Sequence, residues 1–349
     1  MKAKYYSTTE LAEKTGTSRQ VISAIINEKW KEKRISQATY DRIKGAMDEL
    51  GFVPDRTAVS LKKDSRKKIG LLCHGPLYSH ILTAIEKLNH HFLKQNIPVE
   101  MHISSEGGLV DGLRDLMGQR VESLIVLLSP MTRNFCEADL KNPTLLKLLR
   151  AVPSIIYNFP FGIHEASLDR ELIHVGAKLI GFSKEKAYTQ FFRTLPSPEN
   201  CRILTDEKIF SLFRAGTVLG KACESLERLD TYPNPQSDKL DQNPFLMGEK
   251  LAHSLLPRII EHRYDFILTS SDRIAQGMAA VLSESGLSIP EDLNLLGFDN
   301  INSLPYFKHK LPTIEVPIQP MIDELLATLN QQATGGSAYR TEAKLIGLG

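Results

Sequence analysis

The stretch TGTSRQVISAIINEKW, residues 15–30, decides how the amino-terminal part of this chain folds. On an α-helix, one side of this stretch carries four aliphatic residues: Val21, Ile22, Ile25 and Ile26. The other side carries small, basic and amide-bearing residues: Arg19, Gln20, Ser23, Ala24 and Asn27. A helix divided in this way packs its aliphatic side on neighbouring helices and leaves its other side open to a partner.

A further helix is predicted on each side of this stretch. Ser7 and Glu10 have the spacing of a capping box, and Gly16 suits the end of the helix that this box starts. A cap at Ser36 begins a third helix, over residues 37–50, in which apolar residues recur at helical spacing. Two short helices joined by a turn of about four residues and braced by a third form a helix-turn-helix unit.

The charge of the chain points to the kind of partner. Residues 1–68 contain 16 Lys and Arg against 9 Asp and Glu, whereas the rest of the chain is mildly acidic. This basic segment, which we call the head, is suited to binding a polyanion. Arg19 and Gln20, at the start of the middle helix, can each form two hydrogen bonds with a base, Arg with guanine and Gln with adenine. The alternative is a three-helix bundle whose polar side faces only water.

Three segments of the head resemble the lac-repressor (LacI/GalR) family of bacterial transcription regulators: TTELAEKTGTSRQVISAIIN, RISQATYDRIKGAMDELGFVP and the hinge-like DRTAVSLKK. In that family, two hinge helices of a dimer enter the DNA minor groove and a leucine from each wedges between base pairs. Leu61 occupies the position of this leucine, with Ala58 one turn earlier. The alternative is that Leu61 packs within a linker.

The pattern and the resemblance together predict a set of DNA-binding residues. They are Ser7, Thr17, Ser18, Arg19, Gln20, Ser23, Ala24, Asn27, Lys33, Arg34, Arg56, Ala58, Leu61 and Lys62. Ala24 departs from the family, which commonly has a base-reading arginine there, so we expect a different operator. The loop EKWKEKRI after Asn27 is longer than usual and basic. It is either an additional phosphate contact or an ordinary surface loop.

From Ile69 onward, short apolar segments alternate with amphipathic helices. KIGLLCH, VEMHIS, SLIVLLS and PSIIYN form one series of strand-like segments, and NCRILTD, DFILTSS and LNLLGFD form a second. The alternation predicts doubly wound parallel sheets, and the two series predict two lobes. Such sheets bind ligands at the carboxyl ends of their strands, so two facing lobes make a cleft that can close.

The resemblance extends through this part of the chain, as the periplasmic-binding-protein-like (type I) effector domain of the same family. It is strongest in DFILTSSDRIAQGMAAVLSESGLSIPEDLNLLGFDN and LPTIEVP, and weak from about 160 to 250. The expected fold is therefore α/β, with an all-α helix-turn-helix domain at 1–53, a hinge and linker at 54–68, and a two-lobed domain at 69–349. Lobe 1 is expected at about 69–158 and 317–338, and lobe 2 at about 159–316 and 339–349, with chain crossings near 158–160, near 316 and near 335–340.

The resemblance also implies an effector site in the cleft, with contacts from His74, Asn158, Arg214, Ser271 and Asp299. These side chains suit a polyhydroxylated ligand, because each sugar hydroxyl both donates and accepts a hydrogen bond. The alternative for a polar residue at a strand end is the capping of the next helix. The pattern around Arg214 and the segment KLIGFSKE depart from the family, which leaves the identity of the effector open, including whether it is a sugar.

The sequence does not fit the catalytic motifs that we compared with it. GTVLGKA has the wrong glycine spacing for a phosphate loop and has alanine where a magnesium-binding hydroxyl is needed; HExxH, GxSxG and GxGxxG do not occur. We therefore expect no catalysis, no cofactor and no metal. Four widely spaced cysteines, no membrane-length apolar run and no secretory signal predict a soluble cytoplasmic protein.

The leading hypothesis is a homodimeric DNA-binding transcription regulator, a repressor, that reads a near-palindromic operator and is switched by a small-molecule effector, a sugar or related metabolite. The alternatives are a sugar-binding receptor of the same lobe fold and an enzyme on a doubly wound scaffold. No heptad pattern follows residue 335, so we expect no tetramerising coiled coil.

Overall fold

The computed structural model describes most of the 349-residue chain: residues 6–50, 52, 68–75, 77, 79–104, 107–129, 142–159, 161, 166–195, 200–210, 229–233, 243–331 and 335–347. The chain divides into two compact units, Met1–Arg66 and Lys67–Gly349. This division lies close to the predicted boundary between residues 68 and 69. The predicted division of the first unit at residues 53 and 54 lies outside the described residues.

The described residues of the first unit form three helices, α1 (Thr8–Thr15), α2 (Arg19–Ile26) and α3 (Gln37–Leu50). The capping box is formed at α1: the Glu10 backbone N–H donates to Ser7 Oγ at 3.2 Å, and the Ser7 backbone N–H donates to Glu10 Oε2 at 2.7 Å. Gly16 ends α1 with a left-handed φ of 60°. These local signals are the ones that the sequence predicted.

One apolar cluster holds the three helices together. Its buried members come from all three: Leu11, Ala12, Ile22, Ile25, Ile43, Met47 and Phe52. Val21 and Ile26 pack against the cluster and are partly buried. The predicted aliphatic side of α2 is therefore its packed side, and its opposite side faces away from this core.

The second unit alternates helices and strands along most of its length. Its strands are β1 (Ile69–His74), β2 (Val99–Ser104), β3 (Ser123–Leu128), β4 (Ser154–Phe159), β5 (Lys178–Ser183), β6 (Ile203–Asp206), β7 (Leu229–Tyr232), β8 (Phe266–Leu268), β9 (Asn294–Leu296), β10 (Thr313–Glu315), β11 (Ser337–Glu342) and β12 (Lys344–Ile346). Its helices are α4 (Ser79–Lys94), α5 (Leu109–Gly118), α6 (Pro143–Ala151), α7 (Ala166–His174), α8 (Glu185–Thr194), α9 (Glu207–Phe210), α10 (Pro244–His262), α11 (Asp272–Glu284) and α12 (Ile318–Gln331), with a 3-10 turn at Leu304–Tyr306.

The larger sheet has six strands in the order β11-β5-β4-β3-β1-β2, and every neighbouring pair is parallel. Helices α4 and α12 pack on one face of this sheet, and α5, α6 and α7 pack on the other. Because both faces are covered, β1 is buried along its whole length. The predicted doubly wound parallel sheet is confirmed.

The smaller sheet has four parallel strands in the order β7-β6-β8-β9. Helices α10 and α11 cover one face. On the other face, Phe191 of α8 meets Phe266 of β8 edge to face, with ring centroids 5.2 Å apart. Strands β10 and β12 form a separate antiparallel pair. Cys73 and Cys201 are buried free thiols, whereas Cys136 and Cys223 lie outside the described residues.

The strand pairing corrects the predicted lobe limits. Strand β5 pairs with β4, and β11 pairs with β5 through Glu342, so both belong to the larger sheet. The predicted first crossing near 158–160 is therefore wrong, because the buried segment 178–183 is needed to join β4 to β11. The predicted third crossing near 335–340 comes too early for the same reason. The second crossing, near 316, agrees with the packing of α12 on the core beside β4 and β5.

Helices α10 and α11 are packed so closely that two glycines are required between them. A Cβ atom at Gly277 would collide with the carbonyl oxygen of Phe245, and one at Gly248 would collide with that of Ile274. Both obstacles are backbone atoms, which cannot rotate away as a side chain does.

We expect Gly277→Ala to lower the free energy of unfolding by about 1–3 kcal/mol, since the two helices must separate to admit the methyl group. Urea denaturation of the full chain measures the change. Gly118→Ala is the matched control, because nothing lies within 4 Å of a Cβ at that helical position. Equal destabilisation by the two substitutions would contradict the close packing.

Candidate nucleic-acid interface and effector cleft

The start of α2 presents two of the predicted base-reading side chains to solvent. Ser18 caps the helix by accepting a hydrogen bond from the Val21 backbone N–H at 3.3 Å. Arg19 and Gln20 follow it and are exposed. The first turn of α2 has no acidic residue, so the positive end of the helix dipole and the Arg19 guanidinium act together. This end of α2 is therefore well suited to an anionic partner.

Several other predicted contact residues already have structural roles within the unit. The Thr17 hydroxyl lies 2.9 Å from that of Thr15, and Asn27 Nδ2 donates to the Ser23 carbonyl oxygen at 2.7 Å. Ser7 completes the cap of α1. Ala24 and Ser23 are half-buried. These contacts fix the position of α2, and contact of these residues with DNA stays a prediction.

The segment 28–34, which we call the basic loop, is held by an aromatic contact. The ring of Trp30 lies 4.6 Å from that of Tyr40 on α3, and the Ile35 backbone N–H donates to the Trp30 carbonyl oxygen at 2.9 Å. The loop exposes four cations: Lys29, Lys31, Lys33 and Arg34. It is thus an ordered, positively charged edge of the unit. Arg56, Ala58, Leu61 and Lys62 lie outside the described residues, as does Arg214.

In the larger sheet, the predicted effector residues lie where neighbouring strands end. His74 closes β1, and its Nδ1 lies 2.8 Å from Ser104 Oγ at the end of β2. Asn158, near the end of β4, has a left-handed φ of 62° at an irregularity in the pairing with β5. Its Nδ2 donates to the Leu128 carbonyl oxygen, the last of β3, at 2.7 Å. The structure therefore brings His74 and Asn158 to one edge.

In the smaller sheet, Ser271 and Asp299 also follow the ends of adjacent strands. Ser271 Oγ accepts a hydrogen bond from the Ile274 backbone N–H at 3.3 Å, so it caps α11, the alternative role that the sequence left open. Asp299 has a φ of 105°, rare outside glycine, and its backbone N–H donates to the Ile314 carbonyl oxygen at 2.9 Å. The loop after β9 is thereby tied to β10.

One side chain that sequence reasoning missed joins the two edges. His80, in the first turn of α4, has its Nδ1 3.3 Å from Oδ1 of Asp299. Both side chains are largely buried, with exposed fractions of 2% and 11%. The spacing of His80, Ala84 and Leu88 was the available signal, because residues four apart share one helix face and the other two are buried.

The comparisons with known proteins agree with this architecture. A periplasmic binding protein-like domain model matches residues 230–346. The HTH-type transcriptional repressor PurR of Vibrio atlanticus (strain LGP32) is 25% identical over 320 residues, which covers 88% of this chain and 86% of the relative. These matches agree with the resemblance of the sequence to the LacI/GalR family.

Solved structures support this fold over nearly the full length of the chain. The lac repressor dimer bound to operator and the anti-inducer ONPF is similar with a TM-score of 0.68 and 19% identity, covering 99% of this chain and 98% of that one. A LacI family regulator from Enterococcus faecium with bound ribose has a TM-score of 0.57 and 20% identity, covering 80% of this chain and 97% of the other.

The described residues contain no group of three or more His, Cys, Asp or Glu side chains that could hold a metal ion. None of the helices among them is long and apolar enough to cross a membrane.

Asp272 is a fully buried carboxyl group beside the candidate cleft residues. Burial raises its pKa to about 7, although hydrogen bonds from Thr313 Oγ1 at 2.6 Å and the Ile301 backbone N–H at 2.9 Å favour the charged form; the charge of Asp299 raises the pKa further. The folded protein therefore holds a proton on Asp272 at pH values where the unfolded chain has lost it.

We expect this carboxyl group to make stability fall as the pH rises from about 4 to about 7, since the folded pKa lies above the ordinary value of 3.8. Asp272→Asn should remove about 1–3 kcal/mol of that fall, because an amide does not titrate. Urea denaturation at pH 5 and pH 8 measures the free energy of unfolding of both proteins. Asp323→Asn, exposed on α12, should keep the wild-type profile, and an unchanged profile in Asp272→Asn would show that Asp272 does not titrate in this range.

Proposed function

We propose that this protein is a homodimeric transcription repressor that binds a near-palindromic DNA operator through α2 and whose DNA affinity is switched by a small polyhydroxylated effector. The observation that carries the proposal is the presence, in one chain, of an exposed Arg19–Gln20 helix start and of two parallel sheets that are linked by the contact of His80 on α4 with Asp299 after β9. The first feature suits DNA, and the second suits a ligand-dependent cleft.

The head supports DNA binding by charge and by geometry. Arg19 and Gln20 lie at the exposed start of a helix whose other side is packed, which is how a recognition helix enters a major groove. The basic loop adds cations suited to phosphate oxygens. The lac repressor structure with a similar fold is bound to operator. A DNA partner would also place the protein in the cytoplasm, and the curated relative is a repressor rather than an enzyme.

The cleft supports an effector of the sugar class. Its candidate contacts are an imidazole, an amide, a hydroxyl and a carboxylate, from His74, Asn158, Ser271 and Asp299, with Arg214 as a further candidate, and these groups pair well with hydroxyls. One neighbour of similar fold holds ribose. For such a ligand to act as a switch, it must bind the two arrangements of the lobes with different affinities, because a ligand indifferent to the arrangement shifts nothing.

The homodimer is supported by an exposed apolar face on the larger sheet. Met101 and Ile103 of β2 and Leu82 and Leu93 of α4 are all exposed. Val99 of β2 packs on the same core as α4, so the β2 residues lie on the face of the sheet that α4 covers. Strand β2 pairs only with β1 among the described strands and therefore forms an edge. An apolar face beside an edge strand is typical of a protein interface.

The DNA proposal predicts a specific effect of Arg19→Ala. On an operator selected by the wild-type protein from random duplexes, the loss should be about 1–3 kcal/mol, with relaxed preference at one base position, because a two-hydrogen-bond contact is removed. Fluorescence anisotropy at several salt concentrations measures affinity. Arg42→Ala, exposed on α3 and outside the predicted contacts, is the control. Equal weakening on all sequences would make Arg19 a phosphate contact, and salt-independent or absent binding of duplex DNA would overturn the proposal.

The dimer proposal predicts that Ile103→Asp separates the subunits, since a charge would be buried against the partner. Sedimentation equilibrium of the full chain should show the wild type as a dimer and the variant shifted towards monomer by at least tenfold in dissociation constant. Ile260→Asp changes an equally exposed isoleucine on α10 of the smaller sheet and should stay dimeric. If both variants remain dimeric, the interface lies elsewhere.

A further inference from the structure

Several described residues of the second unit hold buried polar atoms without hydrogen-bond partners. Among the described residues they include both ring nitrogens of His80, Tyr157 Oη, Ser270 Oγ and Asp299 Oδ1. Tyr157 lies towards the carboxyl end of β4, Ser270 follows β8, and Asp299 follows β9. Folded proteins pair nearly all such atoms, so a set of them at one kind of position indicates where a ligand completes the hydrogen bonding.

His80 is the best defined of these residues. Its side chain is 98% buried, and its Nδ1 approaches Asp299 Oδ1 at 3.3 Å without hydrogen-bond geometry. A carboxylate only accepts hydrogen bonds, so its neighbourhood favours the proton on Nδ1. With its single proton on Nδ1, the ring offers Nε2 as an acceptor. A ligand that meets this edge must therefore donate a hydrogen bond.

We propose that His80 is a specificity-determining residue of the effector site, whose Nε2 accepts a hydrogen bond from one hydroxyl of a neutral polyhydroxylated effector while Asp299 accepts one from another. This inference rests on the proposed effector function of the cleft. His80 stands on α4, which packs on the larger sheet, and Asp299 follows β9 of the smaller sheet. A ligand held by both residues connects the two lobes, so its occupancy biases their arrangement.

The charges beside this pair select against anionic ligands. Asp299 is a carboxyl group beside His80. Asn300 Nδ2 donates to Glu315 Oε1 at 3.2 Å, which places a second carboxyl group near the same loop. A phosphate or carboxylate on the effector would meet like charge here, whereas a hydroxyl donor would find acceptors. A neutral sugar therefore fits better than its phosphate ester.

The test uses the full chain and four defined probes: D-ribose, D-glucose, D-galactose and D-ribose 5-phosphate. Thermal-shift measurements followed by calorimetric titration should show that at least one neutral sugar binds, and that D-ribose 5-phosphate binds more weakly than D-ribose. His80→Leu should weaken the best neutral sugar at least tenfold. Its ligand-free melting temperature should be unchanged or higher, since the imidazole has no hydrogen bond to lose in the free protein.

Two further variants separate recognition from folding. His80→Gln keeps an acceptor and a donor and should retain part of the affinity, even if His80→Leu does not fold. His90→Leu removes an exposed histidine from the same helix and should leave sugar binding unchanged. Wild-type affinity in His80→Leu, or no neutral sugar binding to the wild type, would overturn the inference. Salt-dependent DNA binding is measured in the same preparations, and its persistence in that case would leave the DNA-binding function standing.

Discussion

All strands of the two main sheets run parallel to their neighbours, and the site depends on this one constraint. Parallel pairing sends each carboxyl end to the same edge, so residues far apart in the chain, such as His74 and Asn158, come to one edge of the sheet. The same rule in the smaller sheet places Ser271 and Asp299 together. The position of the cleft therefore follows from strand direction, and the side chains at the strand ends line it.

Residues at these edges are held in energetically unfavourable states. Asp299 has a positive φ, Asp272 is a buried carboxyl with a pKa near neutrality, and His80 is buried without a hydrogen bond. Such states persist only where the surrounding structure prevents a conformation of lower free energy. Here a single apolar cluster reaches from Leu71 in the larger sheet to Leu268 in the smaller one. This shared core supplies the packing that tolerates local strain at a binding site.

In the first unit, which is smaller, apolar packing orients the polar side chains. A helix of eight residues such as α2 is not stable alone in water, so its position depends on the burial of Ile22 and Ile25. Once that side is packed, Arg19 and Gln20 have to face outward. The Trp30–Tyr40 contact fixes the basic loop in the same way, since an aromatic anchor holds a charged surface. In both cases apolar packing orients polar groups for contact.

The sequence by itself determined the features that depend on near neighbours in the chain. These are the capping box at Ser7, the aliphatic side of α2, the cap at Ser271 and the alternation that predicts two parallel sheets. It also indicated the resemblance to the LacI/GalR family, because the motifs that carry it are short stretches of sequence near both ends of the chain. Only the tertiary structure decided which sheet β5 and β11 join, since strand order is set by pairing between distant segments. The same reason explains why His80 was missed: its helical spacing was an available signal of burial, but its contact with Asp299 exists only because two strands more than two hundred residues apart end facing one another.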